Sequence, residues 1–553
     1  MKRIFVLIGM MTMLVSMPSQ AQTARYDIVP LPRSIAQQQA PGFVLNKQTA
    51  IVYADGLEKE ARFLSGYVKE MTQFDLPTRP IAKKNDARGN IQLALAAPVT
   101  AKGKKKAAAK PNEEAYTISV TAKGVTITGQ TAKAVFLGVQ TLRKSLPVLA
   151  EQPEMVNLPA VVIQDEPRFA YRGMHLDCSR HFFPVEFVKE FIDLIALHGM
   201  NKFHWHITDD QGWRFESKKY PKLTTIGGWR SGTVVGRNSP IDDGIRHGGF
   251  YTQEECRDIV KYAADRHITI IPEIDMPGHM VAALAAYPEY GCTGGPYEVE
   301  HTWGVFADVL CPGKEQTFKF IEDVLSEVID VFPSEYIHIG GDECPRDRWK
   351  ACPLCQQRIK DENLKAEGKQ RAEDRLQGYF TKRVEAFLHT KGKRLIGWDE
   401  LLGCDIDTTA TIMSWTGAEP GARGAKLGHD VIMTPNSPMY FDHYQTDKHN
   451  NEPLSIGGHS PSEKVYAFEP VAADLTPEQA KHILGVQANV WCEYIYSTQH
   501  VEYQVLPRMA ALAEVQWLQP EQKNFDAFKE RVTRLKAIYD LHHWVVAPHL
   551  FKK

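Results

Sequence analysis

The stretch Tyr336-Ile-His-Ile-Gly-Gly-Asp-Glu343 decides how this chain is read. It begins apolar and β-favouring, and it ends in two adjacent carboxylates preceded by Gly340 and Gly341. Such a run predicts a buried strand with a polar C-terminal lip. In an α/β barrel that lip is where chemistry is placed. Neighbouring strand residues face opposite sides. Asp342 and Glu343 therefore cannot share one task unless the strand breaks between them, and the glycines allow such a break. One carboxylate can then orient a substrate group while the other handles a proton. The competing reading is a strand end whose acids merely cap the next helix.

Outward from this stretch the pattern repeats. After Pro167, strand, loop and helix alternate. The candidate strands are Tyr171–Asp177, Lys202–Thr208, Ile268–Asp275, Tyr336–Asp342, Arg394–Glu400, Ala410–Trp415, Asp430–Pro435 and Ile483–Trp491. Helical patterns lie between most of them, among them Pro184–His198, Gln253–Arg266, Lys314–Phe332 and Arg371–Thr390. The class is α/β, and this order predicts a (β/α)8 TIM barrel with insertions over residues 166–553, closed by helices at Pro507–Trp517 and Phe525–Leu541. An open doubly wound sheet is the alternative, but no Gly-rich phosphate loop follows the first strand.

Residues 22–165 read as a smaller α+β domain ahead of the barrel. Short strands are expected at Phe43–Leu45, Thr49–Tyr53 and Ile91–Leu95, a hairpin at 115–129, and helices at Leu57–Thr72 and Ala132–Leu146. The basic run Ala101–Lys110 reads as a solvated loop. Residues 1–21 carry a basic start, an apolar run from Ile4 to Met17 and the small-residue site Ser19-Gln20-Ala21. That is the pattern of a secretory signal peptide, which makes the mature chain exported, periplasmic or secreted. No later stretch has the length and apolarity of a membrane span.

The formal net charge of −2 offers no basic surface for nucleic acid or an anionic membrane. Nine cysteines in an exported chain permit disulfides and leave at least one thiol unpaired. Cys352-Pro-Leu-Cys355 is a single CxxC, and a zinc ion would need two more ligands, with only Cys344 nearby in sequence. A local disulfide or unpaired thiols is the expectation there, and no metal or cofactor is expected.

On a barrel, the strand ends gather Asp177, Arg180, His204, His206, Asp209, Asp210, Glu273, Asp275, His279, Asp342, Glu343, Trp398, Asp399, Glu400, Trp415, Tyr440, Asp442, Trp491 and Glu493. Acids, an arginine and many aromatics make a poor core and a good polyol pocket. His204 and His206, two apart on a strand, face the same way. They suit either a metal, as in metal-dependent barrel hydrolases, or buried hydrogen-bonded imidazoles.

At these residues the chain resembles the family 20 glycoside hydrolases, the β-N-acetylhexosaminidases. The resemblance rests on Tyr171-Arg-Gly-Met-His-Leu-Asp-Cys-Ser-Arg-His-Phe182, Asn201-Lys-Phe-His-Trp-His-Ile-Thr-Asp-Asp-Gln-Gly-Trp213, Pro272-Glu-Ile-Asp-Met-Pro-Gly-His279 and His338-Ile-Gly-Gly-Asp-Glu343. Gly397-Trp398, Trp415, Tyr440-Phe-Asp442 and Trp491-Cys-Glu493 extend it. It implies exo-acting, retaining removal of terminal β-linked GlcNAc or GalNAc from an oligosaccharide or glycoconjugate. In this family the substrate's 2-acetamido oxygen attacks the anomeric carbon and an oxazolinium forms. By resemblance Glu343 is the general acid and then the base, and Asp342 orients the acetamido group. Tyr440 bonds the acetamido oxygen, and Trp398, Trp415 and Trp491 wall the pocket. Arg180 binds the 3- and 4-hydroxyls, Asp442 and Glu493 contact the outer hydroxyls, and Asp209 with His279 supports Glu343. The resemblance also implies a Cys292–Cys311 disulfide at the rim. A disaccharide-releasing relative, a silent carbohydrate-binding protein and a metal-dependent hydrolase are the alternatives, and the oligomeric state is open.

Overall fold

The computed structural model describes residues 22–83, 85–97, 112–237 and 239–551. The signal-peptide pattern and the basic run Ala101–Lys110 lie outside them. Among the described residues no helix is long and apolar enough to cross a membrane.

Eight parallel strands close into a barrel in chain order. They are β1 (Tyr171–Asp177), β2 (Lys202–His206), β3 (Thr269–Glu273), β4 (Tyr336–His338), β5 (Arg394–Trp398), β6 (Thr411–Ser414), β7 (Val431–Met433) and β8 (Ile483–Ala488). The parallel pairing of β8 with β1 makes the closure. Every residue of β1 is buried, as expected of a strand covered on both faces. Amphipathic helices form the outer ring. Glu315–Val331, for example, buries Phe318, Ile321, Leu325 and Val328 at helical spacing.

The strands are shorter at their C-terminal ends than the apolar runs suggest. β4 stops at His338, four residues before Asp342. Two backbone bonds carry the pairing with β5 a little further: Ile339 N–H donates to Ile396 O at 3.0 Å, and Trp398 N–H donates to Gly340 O at 2.9 Å. The ladder then ends at Gly340 and Gly341, with φ of 65° and 98°.

Ahead of the barrel lies a seven-stranded mixed sheet. Its order is Ser34–Gln37, Val161–Asp165, Tyr116–Thr121, Gly124–Gly129, Ile91–Leu95, Ile51–Tyr53 and Thr78–Pro80. The helices Glu58–Thr72 and Ala132–Ser145 pack against each other and against this sheet. The sheet is tied to the barrel by a buried ion pair. Arg172 of β1 donates two hydrogen bonds to the Glu114 carboxylate, at 2.6 and 2.9 Å, and others to the carbonyls of Phe169 and Gly199.

The expected Cys292–Cys311 bridge is corrected by the structure. Both thiols are free, as are all nine. The reason is competition: the chain after β4 brings Cys355 to 3.8 Å from the Cys292 sulfur and 3.5 Å from the Cys311 sulfur.

Glu114 is held down to about 2; burial opposes this, but Arg172 and then Lys133 overcome it. A carboxylate depressed on folding contributes stability that is complete above its ordinary value of 4.5 and lost as pH falls towards about 2. Glu114→Ala, which strands Arg172 in the interior, is expected to cost about 3–5 kcal/mol. The gap in Tm between the variant and the parent should narrow as pH is lowered from about 5. A gap constant across that range would mean that the pair does not join the two parts.

Candidate active site

Every residue given a role in substrate handling by the resemblance lines a single cavity of about 470 Å³ at the C-terminal end of the barrel: Asp342, Glu343, Arg180, Asp209, His279, Trp398, Trp415, Tyr440, Asp442, Trp491 and Glu493. Of the other strand-end residues Asp275 joins them, whereas Asp177, His204, His206, Asp210, Glu273, Asp399 and Glu400 do not line it. Asp342 and Glu343 come from the loop after the glycine break. Gly341 N–H donates to Asp275 Oδ1 at 3.2 Å, and Gln377 Nε2 donates to Gly341 O at 2.7 Å. The turn is thus gripped from the β3 end and from the helix Ala372–Thr390. A Cβ on Gly340 would sit 1.7 Å from Asp275 Oδ1, so only glycine fits there.

The two neighbouring carboxylates are set apart by environment. The side chain of Asp342 is 14% exposed and that of Glu343 is 41% exposed. Oδ1 of Asp342 is buried without a hydrogen-bond partner in the protein. Burial pushes the Asp342 carboxyl up to about 6, with His279 opposing and the charges of Glu273 and Glu343 adding. Glu343 moves the other way, because the protonated His279 beside it favours its charged form. His279 Nε2 lies 3.6 Å from Glu343 Oε2 and 3.7 Å from Asp342 Oδ2. The other ring nitrogen of His279 is 3.1 Å from Asp209 Oδ1 and 3.0 Å from Asp210 Oδ2. Burial disfavours a charged imidazole there, but these carboxylates outweigh it and hold His279 protonated well above its ordinary range.

Arg180 is locked in place by its neighbours. It reaches Asp177 Oδ2 at 3.1 Å, Gln211 Oε1 at 3.0 Å and Asp209 Oδ2 at 2.9 Å, and its guanidinium carbon lies 5.2 Å from the Trp491 ring centroid. Glu493 stands 3.9 Å away. Asp442 lies beside this group with a buried, unpartnered Oδ1, and burial with the charge of Glu493 pushes its carboxyl well up. Two unpartnered carboxylate oxygens in one cavity are acceptors waiting for donors, since a buried polar group left unpaired is costly.

The aromatic walls are ordered by contact with one another. Trp415 and Tyr440 stack at 6.2 Å and 14°, and Trp491 lies 5.8 Å from Trp398 and 6.2 Å from Tyr440. Trp398 Nε1 donates to Glu273 Oε1 at 3.0 Å, and Trp415 Nε1 donates to Glu400 Oε2 at 3.0 Å.

His204 and His206 do face the same way, but beneath the cavity floor. The ring nitrogens of His206 lie 2.5 Å from Glu273 and 2.7 Å from Asp209. Burial opposes its charge, yet Glu273 and Asp209 keep it protonated well above the ordinary range. An imidazolium bonded at both nitrogens has no lone pair for a metal. His206 therefore follows the hydrogen-bonded reading, whereas His204 accepts from Gln487 Nε2 at Nδ1 and keeps an Nε2 without a hydrogen-bond partner 3.0 Å from Glu273.

Sequence reasoning assigned no role to Asp275, Glu400 or Gln211, although all three sit in quoted motifs or at strand ends. Burial, with the charge of Asp342, raises Glu400 to about 8. Trp303 and Arg237 also line the cavity, from loops whose sequence has no period to flag them.

Comparison with known proteins identifies the family and the fold. The family model described as glycosyl hydrolase family 20, catalytic domain, matches residues 169–520, and that of domain 2 of the same family matches residues 25–166. A β-hexosaminidase of Porphyromonas gingivalis is 43% identical over 535 residues, covering 95% of this chain and 65% of the relative. The chain thus spans about two thirds of that relative's length. The solved family 20 β-N-acetylhexosaminidase of Streptomyces coelicolor A3(2) superposes with a TM-score of 0.77 at 30% identity, covering 96% of this chain and 98% of that one. An exo β-N-acetylglucosaminidase of Vibrio harveyi, solved with N-acetylglucosamine, gives 0.80 at 30% identity, covering 96% and 79%.

Gly340→Ala tests the turn. The added methyl must displace Asp275 and strain a backbone at positive φ, so a loss of about 3 kcal/mol or more, or failure to fold, is expected. A melting curve unchanged from the parent would mean that Asp275 does not pack on this turn.

Proposed function

The chain belongs to glycosyl hydrolase family 20, and on that premise we propose that it is an exo-acting, retaining β-N-acetylhexosaminidase using the substrate's own acetamido group as nucleophile. The carrying observation is the buried, unpartnered oxygen of Asp342 inside an aromatic cage. A free carboxylate there suits an amide N–H, and the flat faces of Trp398, Trp415 and Trp491 suit an acetyl methyl and a sugar ring.

In this reading the terminal sugar enters ring-first. Arg180, Asp442 and Glu493 take its outer hydroxyls, and a pocket closed on that side selects a chain end. Asp342 accepts the acetamido N–H and turns the acetamido oxygen towards the anomeric carbon. Tyr440 O–H donates to that oxygen. Glu343 gives its proton to the leaving oxygen as the glycosidic bond breaks and the oxazolinium closes. Asp342 then faces the positive charge, where a preorganised anion acts most strongly. Glu343, now a carboxylate, takes a proton from water as it attacks, and the acetamido group is restored. His279, held by Asp209 and protonated, stands 3.6 Å from Glu343 and stabilises the carboxylate left once the proton has been given. The leader-like start fits action outside the cytoplasm on terminal GlcNAc or GalNAc of oligosaccharides.

An aryl β-N-acetylglucosaminide should be cleaved far faster than the matching aryl β-glucoside, and equal rates would remove the substrate-assisted mechanism. Glu343→Gln should lose about 10²–10⁴ in kcat/KM on substrates with poor leaving groups. It should lose much less where the leaving group needs no proton. Equal losses on both would count against Glu343 as the acid.

The pH profile tests Asp342. It must be ionised to hold the acetamido N–H, so kcat/KM should fall below about pH 6, where burial has placed its titration. Asp342→Asn should lower kcat by about 10²–10³ with little change in Tm, and should abolish that acid limb. An acid limb surviving the substitution would assign it to another group.

A further inference from the structure

Four of the nine cysteines meet in one place, away from the cavity. Cys292 and Cys311 stand at the neck of the loop that follows β3. That neck is closed by the antiparallel bridge Gly291↔Leu310 and by Cys311 N–H donating to Tyr290 O at 2.9 Å. Cys352 and Cys355 come from the CxxC after β4, where Pro353 opens the helix Pro353–Asp361. One sulfur from each of the four lies within 4.8 Å of all the others. The measured separations are 3.8 Å for Cys292–Cys355, 3.8 Å for Cys311–Cys352 and 3.5 Å for Cys311–Cys355.

These lengths decide between two chemistries. A disulfide needs sulfurs about 2.05 Å apart. A tetrahedron of thiolates about 2.3 Å from a central zinc has edges of about 3.8 Å. The observed spacing fits the tetrahedron. The backbone around the sulfurs is also shaped for it. Gly313 packs so tightly on the CxxC that a Cβ there would lie 2.4 Å from the carbonyl carbon of Leu354 and 2.5 Å from the nitrogen of Cys355. Cys311, Cys352 and Cys355 are buried with Trp349, whose Nε1 donates to Leu310 O at 2.9 Å, so the two loops are already docked.

We propose that Cys292, Cys311, Cys352 and Cys355 bind one zinc ion as a structural site that staples the loop after β3 to the loop after β4. Four thiols release four protons to solvent as four Zn–S bonds form, and no electron moves. Two disulfides from the same sulfurs would instead require an oxidant to take four electrons. The pairing is hidden in sequence because Cys292 and Cys311 lie far from the CxxC along the chain. The loops being joined carry His279 and Glu343, so the ion braces the site without entering the reaction.

The test uses the full chain, purified without chelator or reductant. Metal analysis should find about one zinc per chain. Titration with a mercurial should release it together with four thiols, and the denatured mass should be that of the fully reduced chain. Cys355→Ser and Cys311→Ser should each cut bound zinc at least tenfold and lower Tm by about 5 °C or more. Cys256→Ala, outside the cluster, should leave zinc unchanged. A zinc-free chain lighter by about 4 Da, as two bridges require, would overturn the proposal. So would a zinc-free chain with four titratable thiols, or a Cys355→Ser variant that keeps full zinc. Should the serine variants fail to fold, metal content and mass of the parent chain decide alone.

Discussion

A carboxylate at the centre of the barrel sets the terms for everything above it. Glu273, at the end of β3, is completely buried, and an unpaired anion there would cost several kcal/mol. Its oxygens meet His206, lie 3.0 Å from His204 Nε2 and accept from Trp398. His206 becomes a cation, which fixes Asp209 as an anion, which in turn holds Arg180 and His279 as cations. Charges of alternating sign thus run from the barrel core up to Glu343. Each buried charge is tolerable only because the next is in place, so the chain of pairs specifies one arrangement of side chains.

The glycine break turns this chain of charges into a division of labour. Had β4 continued regularly, Asp342 and Glu343 would have pointed to opposite faces and only one could have met the cavity. Ending the strand at His338 brings both carboxylates within 4 Å of the same His279 nitrogen. They then diverge by environment alone. The more enclosed Asp342 gains affinity for its proton, whereas Glu343 loses it to the histidine. The separation favours an ionised Glu343, the form that takes a proton from water in the second step, while Asp342 needs a donor from the substrate to be held as the anion.

Much of this was legible in the sequence, for physical reasons. β1 has the limits its sequence predicts, Tyr171–Asp177, and β8 starts at the expected Ile483 but ends at Ala488, three residues before Trp491. The helices Glu58–Thr72 and Glu315–Val331 carried a clean apolar period. Strand ends gathered a broader set, and the resemblance picked out of it the residues that line the cavity. What stayed hidden depends on distance along the chain. Ser34–Gln37 and Thr78–Pro80 are mostly exposed strands at the edges of their sheet, with neither an apolar run nor an alternation to mark them. The CxxC looked isolated because its partners arrive only once two barrel loops fold against each other. Trp303 and Arg237 reach the cavity from irregular segments in the same way.

The backbone records where position matters most. Outside glycine, positive φ is uncommon and costs about 1–3 kcal/mol. Yet His279 sits at φ 53° and Glu343 at φ 45°, the two residues whose side chains face each other across 3.6 Å. Such strain persists only where the surroundings over-determine the chain. Here they do: Val281 N–H donates to Asp210 Oδ1 at 3.0 Å on the His279 side, and Arg346 pairs with Asp374 at 3.1 Å just past Glu343. A looser loop would relieve the strain and let the two side chains drift apart. Holding both residues in a costly conformation keeps Glu343 within range of the His279 charge, and it ties the geometry of the reacting couplet to the stability of the loops that carry it.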